Sequence, residues 1–128
     1  MKLGIVGSRT FDDYDLLKIC IVKMFQPSDI EYIVSGGANG ADRLGEKFAK
    51  EFNIPTKIFI ADWSKGKSAG FQRNVDIIKN SNFIFAFWDG ESKGTNHSIS
   101  LCHKYKKPYM VLFFKNKVEE TNLEDFLK

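Results

Sequence analysis

Short apolar runs recur along this chain, and each is followed by a polar loop and then by apolar residues at helical spacing. The five runs are residues 3–6, 30–34, 57–60, 83–88 and 108–114. Strands that alternate with helices of this length indicate right-handed crossovers and a parallel sheet. The runs are almost continuously apolar, as in strands that are buried on both faces. The sequence therefore predicts a Rossmann-like three-layer α/β/α fold with a mainly parallel five-stranded sheet.

The helical patterns lie between these runs and after the last of them. The first helix is expected to begin at Asp12 or Asp13, and the third at about Ser68. A short closing helix is expected near the C-terminus, on an apolar stripe formed by Leu123, Phe126 and Leu127. With 128 residues and no repeat or linker, residues 1–128 are expected to form a single domain.

Composition excludes several classes of protein. Hydrophobic residues make up 43% and charged residues 27% of the chain, which is ordinary for a soluble globular protein. The apolar runs are too short for a transmembrane helix, and the N-terminus does not resemble a signal peptide. Cys20 and Cys102 are far apart and are expected to be buried free thiols in a reducing compartment. We therefore expect a cytoplasmic protein with no membrane partner and no zinc site.

The charge distribution is more informative than the net charge. The formal net charge is +3, from 19 basic and 16 acidic residues, which is too slight to indicate a nucleic-acid partner. Lys65, Lys67, Arg73 and Lys79 nevertheless lie close together in sequence, with only Asp76 against them. A local basic cluster beside glycine loops suits a small phosphate-bearing ligand better than a long polyanion.

Glycine-containing loops follow four successive predicted strands, and parallel strands place all four loops at one edge of the sheet. Ligands of open parallel sheets bind at that edge. Glycines allow backbone N–H groups to close around phosphate oxygens, and a helix N-terminus favours an anion. Neither the ATPase phosphate loop nor the Gly-x-Gly-x-x-Gly fingerprint is present. The glycines of these loops are Gly7, then Gly36 with Gly37, then Gly66, then Gly90 with Gly94.

Several polar side chains accompany these glycines. Arg9 and Arg73 can each bind phosphate or carboxylate through two N–H groups. Asp62 and Asp89 could accept hydrogen bonds from ribose hydroxyls or hold a hydrated Mg²⁺ ion, although each also fits a plain turn or surface position. Asp42 fits equally a ligand contact and a favourable interaction with its helix dipole. The predicted ligand-binding residues are Gly7, Ser8, Arg9, Ser35, Gly36, Gly37, Asp42, Asp62, Trp63, Arg73, Asn74, Asp89, Gly90, Ser92, Gly94 and Thr95.

The aromatic and histidine candidates leave alternatives open. Trp63 and Trp88 each follow a strand and could stack on a base or cover the core, and we assign Trp63 to the pocket rim and Trp88 to the core. His97, in the first turn of the fourth helix, could donate to an anion or act as an acid or base, but an ordinary polar role is favoured. His103 is expected to be structural.

Together these loops resemble the YspA-like (YpsA-related) SLOG family, which belongs to the superfamily of the DNA-processing protein DprA and the "Lonely guy" hydrolases. The resemblance extends from the N-terminus to about Phe114. It implies a Rossmann-like fold that binds a nucleotide-type ligand at its glycine loops. The segments that carry it are Gly7-Ser8-Arg9, Ser35-Gly36-Gly37-Ala38 with Gly40-Ala41-Asp42, Ala61-Asp62-Trp63, Ala69-Gly70-Phe71-Gln72-Arg73-Asn74 and Phe87-Trp88-Asp89-Gly90-Glu91-Ser92-Lys93-Gly94-Thr95.

The hydrolase branch also carries a glutamate in its Pro-Gly-Gly-x-Gly-Thr-x-x-Glu motif, and that position falls on Ser98 here. Serine cannot replace a carboxylate acid, so the hydrolase mechanism is in question. If the chain is an enzyme, the candidate catalytic residues are Arg73 with Asp89 or Glu91.

Three functions are consistent with these residues and with the resemblance. The preferred one is a binding or sensor protein for a nucleotide or an ADP-ribose-like derivative. The alternative is a nucleotide hydrolase or N-glycosidic phosphoribohydrolase, and single-stranded DNA binding ranks third. The sequence identifies no definite cofactor, although Mg²⁺ could accompany the nucleotide, and the resemblance allows a homodimer.

Overall fold

The computed structural model describes residues 1–115, and it contains five strands and four α-helices that alternate along the chain. The predicted closing helix at Leu123, Phe126 and Leu127 lies outside the described residues. The strands are β1 (Lys2–Gly7), β2 (Tyr32–Ser35), β3 (Thr56–Ile58), β4 (Phe83–Trp88) and β5 (Tyr109–Phe113). The helices are α1 (Tyr14–Met24), α2 (Ala41–Glu51), α3 (Ser68–Lys79) and α4 (Lys93–Lys104).

All five strands are parallel, in the order β3-β2-β1-β4-β5. The predicted Rossmann-like α/β fold is thereby confirmed. The central strands β1 and β4 are adjacent, although the chain leaves β1 toward β2 and leaves β4 toward β5, on the opposite side. This is the topological switch point of the sheet, and crevices at such a point bind ligands in open α/β folds.

The strands alternate their side chains between two helix layers, as their geometry requires. Leu3 and Ile5 of β1 face α1 and α2, where they pack with Leu17 and Phe48. The opposite face of the sheet packs against α3 and α4 through a second group of buried residues, which includes Val6, Val34, Ile77, Ile84 and Leu101. Full burial of each such side chain contributes roughly 1.5–3 kcal/mol to folding.

Two strand boundaries differ from the predicted ones by two residues, and the others agree to within one residue. Residues 27–29 form a single 3₁₀ turn that begins at Pro27, so β2 begins at Tyr32 rather than at Ile30. The third strand ends at Ile58 because β3 is the edge strand of the described sheet, where it pairs with β2 alone, and Ile60 beyond it is 78% exposed. Both differences depend on turn and edge geometry that an apolar run does not encode.

Among the described residues, no helix is both long enough and apolar enough to span a membrane.

Candidate functional site

A cavity of about 380 Å³ opens at the carboxyl ends of β1 and β4, at the switch point of the sheet. Its wall combines the loops after β1, β2 and β4 with the facing sides of α3 and α4. Most of the predicted ligand-binding residues line it, and these are Gly7, Ser8, Arg9, Asp42, Arg73, Asn74, Asp89, Ser92, Gly94 and Thr95. Arg73 and Thr95, which come from different crossovers, therefore face one space.

The loop after β1 is fixed to the loop after β4 through Ser8. The Ser8 amide donates to the Phe87 carbonyl oxygen at 2.8 Å, and the Asp89 amide donates to the Ser8 hydroxyl oxygen at 3.1 Å. Ser8 is buried for this reason. A side chain at Gly7 would overlap Ala41 and the Phe87 backbone, so only glycine allows the strands and α2 to approach so closely.

Asp89 and Ser92 build the start of α4. One carboxylate oxygen of Asp89 accepts hydrogen bonds from the amides of Glu91 and Ser92, both at 2.9 Å. Desolvation alone would raise the pKa of Asp89, but these amides and the Ser8 hydroxyl outweigh it and hold the pKa below its usual range. Asp89 is therefore a fixed anion that organises its own loop.

The N-terminus of α4 lies at the cavity, where Ser92, Gly94 and Thr95 form part of the wall. The Ser92 hydroxyl oxygen accepts from the Thr95 amide at 3.3 Å, and the Ser92 carbonyl oxygen accepts from the Asn96 amide at 3.1 Å. The amides of Lys93 and Gly94, in the first turn, have no intrahelical acceptor. This end of α4 therefore offers N–H groups and a partial positive charge to an anion.

The loop after β2 corrects one expectation from the sequence. The Gly36 and Ala38 amides donate to one carboxylate oxygen of Asp42, at 3.1 and 3.4 Å, and the Gly37 amide donates to the Ser35 hydroxyl oxygen at 3.1 Å. These amides do not form an open phosphate cradle, because side chains of this chain already occupy them. The Asp42 carboxylate thus takes the position at these amides that a bound anion would otherwise occupy.

Ser35 does not line the cavity, and it supports this loop by accepting the hydrogen bond from the Gly37 amide. It is fully buried, and its hydroxyl donates to the Glu46 carboxylate at 2.9 Å.

Burial raises the pKa of Asp42 from 3.8 to about 6, even though the amide hydrogen bonds and the charge of Arg73 oppose this shift. At neutral pH the site therefore holds a buried carboxylate beside the Arg73 guanidinium.

Arg73 is held in place by two contacts. Its Nη1 donates to the Gly36 carbonyl oxygen at 3.0 Å, and its Nε donates to the Asn74 amide oxygen at 3.1 Å. The guanidinium has five N–H donors, so others remain available to a ligand. Arg73 also lines two neighbouring cavities.

Asn74 links Arg73 to His97. The Asn74 amide nitrogen lies 3.2 Å from Nδ1 of His97, and the His97 ring makes an edge contact with Phe71. Burial lowers the pKa of His97, so the ring is neutral at physiological pH. The sequence favoured an ordinary polar role for His97, whereas the structure makes it the end of a hydrogen-bond chain that begins at Arg73.

Arg9 differs from Arg73 in being exposed. Within residues 1–115 its guanidinium has no hydrogen bond or ion pair, yet it lines both the main cavity and its neighbour. Its donors are therefore available to an anion that enters either cavity.

The neighbouring cavity, of about 290 Å³, carries the predicted aromatic residue. Trp63 is 57% exposed and lines this space together with Gly36, Gly37 and Arg9. Its ring lies against Gly70 of α3, where a Cβ atom would come within 2.7 Å of it. Trp88, in contrast, is half-buried, packs against Phe113 and donates from Nε1 to the Ser92 carbonyl oxygen at 3.0 Å.

The remaining predicted residues lie outside the main cavity. Asp62 caps a 3₁₀ turn by accepting from Ser64, and it lines a third cavity. Gly90 and Glu91 lie on the exposed part of the loop after β4 and line none of the three cavities. Within residues 1–115, no three His, Cys, Asp or Glu side chains cluster closely enough to hold a metal ion.

Residues that the sequence prediction missed complete the wall. Val6, Thr10, Ala38, Ile77 and Ser98 line the main cavity, and Ser98 is buried one helical turn after Thr95. Spacing along α4 could have indicated Ser98, since residues three apart share a helix face. Ile77 carried no such signal, because it also belongs to the apolar core pattern of α3.

Comparisons with protein-family models and with curated protein sequences find no match to this chain. Among solved structures, the chain is similar to DNA processing protein A from Helicobacter pylori, which was described for its single-stranded DNA binding mode. The TM-score is 0.62 at 21% sequence identity, and the match covers 98% of this chain and 73% of that one. This similarity shows a shared fold.

Proposed function

We propose that this protein binds a nucleotide or a nucleotide derivative, with the phosphate held between Arg73, Arg9 and the N-terminus of α4. The observation that supports this most strongly is the cavity at the switch point, because both guanidinium groups and the α4 N-terminus line it. Cationic donors and free amides that converge on one space are suited to phosphate oxygens.

Two spaces are available for the ribose and the base of such a ligand. The main cavity is bounded by Thr95, Ser98 and Asp89, which offer hydrogen-bond partners to ribose hydroxyls. The neighbouring cavity offers the Trp63 ring for stacking on a base. The two spaces share Arg9, Ala38 and Arg73, so a ligand with its phosphate at this junction reaches both.

Calorimetric titration with a panel of nucleotides and with ADP-ribose tests the proposal. Arg73→Ala is expected to weaken binding about 10- to 100-fold, the effect of losing a charge-assisted hydrogen bond. Lys79→Ala is the matched control, since it removes a positive charge from the same helix outside the three cavities. Equal affinity of the Arg73→Ala variant and the unsubstituted protein would remove Arg73 from the site.

The same incubations separate a binding protein from a hydrolase. Chromatography of the ligand afterwards is expected to recover it intact. Released base or phosphate would instead support the hydrolase, with Arg73 and Asp89 as the candidate catalytic residues that line the cavity.

Single-stranded DNA binding is a second candidate, favoured by one observation of the fold and one of the surface. The similar Helicobacter protein is described for that activity, and the three cavities here adjoin one another through Arg73. An oligonucleotide would give affinity that grows with length and falls steeply with salt. A mononucleotide site predicts that a dinucleotide and a longer oligomer bind no better than the mononucleotide.

A further inference from the structure

The chain Arg73–Asn74–His97 permits only one set of hydrogen atoms. A guanidinium donates and never accepts, so the Asn74 atom that faces Arg73 Nε must be its oxygen. The other end of the Asn74 amide, which faces His97 Nδ1, must then be the NH₂ group. Nδ1 has to accept this hydrogen bond, and His97 therefore carries its single proton on Nε2.

Protonation of His97 turns Nδ1 from an acceptor into a donor, which is incompatible with its present hydrogen bond to Asn74. Nδ1 would then carry a hydrogen, and it would face the hydrogens of the Asn74 NH₂ group. Turning the Asn74 amide over satisfies His97 but places the NH₂ group against Arg73 Nε, where two donors meet. A charge on His97 and the hydrogen bond from Arg73 Nε to Asn74 are therefore mutually exclusive in this arrangement.

We propose that Asn74 is a positioning residue that fixes the Nε side of the Arg73 guanidinium only while His97 is neutral, so that phosphate binding weakens on acidification. The contact of Nη1 with the Gly36 carbonyl oxygen remains in either state of His97. This inference rests on the proposed function for the identity of the bound group. The hydrogen-bond chain itself is a property of the unliganded protein and is testable without a ligand.

The surroundings of the three residues favour such a response. Asn74 is buried, which limits the access of its amide to solvent. His97 packs against Phe71 of α3, while the nearest cations along the chain are Arg73 on α3 and Lys93 one turn earlier on α4. Asp42 faces Arg73 from α2 and also titrates in the mildly acidic range, so its contribution has to be separated from that of His97.

Nuclear magnetic resonance of the unliganded protein tests the hydrogen-bond chain. The protein has two histidines, and the signal that is lost in the His97→Phe variant identifies His97. At neutral pH the ring nitrogen shifts are expected to show the Nε2–H tautomer. The Arg73 Nε–H signal is expected to shift in step with the titration of His97. The proposal would be overturned by an Nδ1–H tautomer, or by an Arg73 Nε–H signal whose chemical shift does not change as His97 titrates.

Binding of ADP-ribose between about pH 8 and pH 5 tests the consequence, since histidine titrates in this range and the pyrophosphate charge of the ligand does not change. The unsubstituted protein is expected to lose affinity about tenfold as His97 becomes charged, which corresponds to one hydrogen bond to a charged group. His97→Phe retains Asp42 and is expected to lose this pH dependence. The same slope in both proteins would assign it to Asp42 and overturn the proposal.

Asn74→Asp supplies the conservative replacement. Its carboxylate accepts from Arg73 Nε and from protonated His97 alike, so affinity is expected to become independent of the charge on His97, whatever its overall level. Asn74→Ala removes the Nε contact of Arg73 at every pH and is expected to bind more weakly than the unsubstituted protein throughout. If ADP-ribose binds to none of these proteins, the proposed ligand is wrong, while the resonance experiment still decides the positioning role.

Discussion

The Asp42 carboxylate accepts a hydrogen bond from the Gly36 amide at 3.1 Å, and a buried acid of α2 thereby closes the turn that follows β2. The same carboxylate oxygen also accepts from Ala38. The turn keeps its shape through an ionisable group that is only 6% exposed. The geometry of the turn is therefore coupled to the titration of Asp42.

Replacing Asp42 by asparagine is expected to stabilise the protein at neutral pH. The native pKa of about 6 lies above the unfolded value near 3.8, so the native state binds this proton more tightly. The stabilising contribution of Asp42 is full below about pH 4 and is lost as the pH rises through 6. The change is of the order of 3 kcal/mol, and an asparagine does not titrate.

Urea denaturation from about pH 4 to pH 7 measures this effect. The free energy of unfolding of the Asp42→Asn variant is expected to exceed that of the unsubstituted protein increasingly as the pH rises. Parallel curves for the two proteins across this range would contradict a raised pKa for Asp42.

Gly36→Ala is expected to destabilise the fold by about 1–3 kcal/mol, because the added methyl group overpacks the turn. Its Cβ would lie 2.8 Å from the Cδ and Nη1 atoms of Arg73 and from one carboxylate oxygen of Asp42. Gly94→Ala is the control, since a Cβ there meets nothing within 4 Å in the first turn of α4. Denaturation midpoints are expected to fall for Gly36→Ala only, and equal midpoints would contradict the contact with Arg73.

Arg9→Ala is expected to weaken nucleotide binding without altering stability. Its guanidinium lines two cavities and has no hydrogen bond or ion pair within the described part of the chain, so its loss removes no structural contact there. We expect affinity to fall about tenfold or more and the free energy of unfolding to stay within about 0.5 kcal/mol. Lys50→Ala, in the last turn of α2, is the charge-matched control and should leave binding unchanged.

Trp63 provides a direct probe of the neighbouring cavity. A base that stacks on its exposed ring is expected to quench its fluorescence, whereas half-buried Trp88 is braced by Phe113 and should respond little. Titration of the unsubstituted protein and of Trp63→Phe with ADP-ribose separates the two signals. Quenching of equal size in both proteins would exclude stacking on Trp63.

The sequence predicted the layers of this fold because its strands are apolar on both faces and its helices are marked by capping residues. Asp13 caps α1, as expected, by accepting from the Leu16 amide at 3.0 Å. The strand order was not predictable, since it depends on contacts such as that between Gly7 and Phe87, which are far apart in the chain.

Individual roles within the site were harder to predict than its location. Ser35 and Arg9 belong to similar glycine loops, but Ser35 is paired with Glu46 and Arg9 extends into a cavity. The difference arises from a partner on α2 that local sequence does not reveal. His97 is similar, because its connection to Arg73 passes through Asn74 on another helix.

The pairing of β1 with β4 also constrains when the cavity can exist. Gly7 meets Phe87 only after three crossovers have been synthesised between them. A chain still emerging from the ribosome therefore lacks this cavity until β4 is available, and closing so long a segment is intrinsically slow. A molecule that fits this cavity would meet it in the finished sheet and in none of the partly formed precursors.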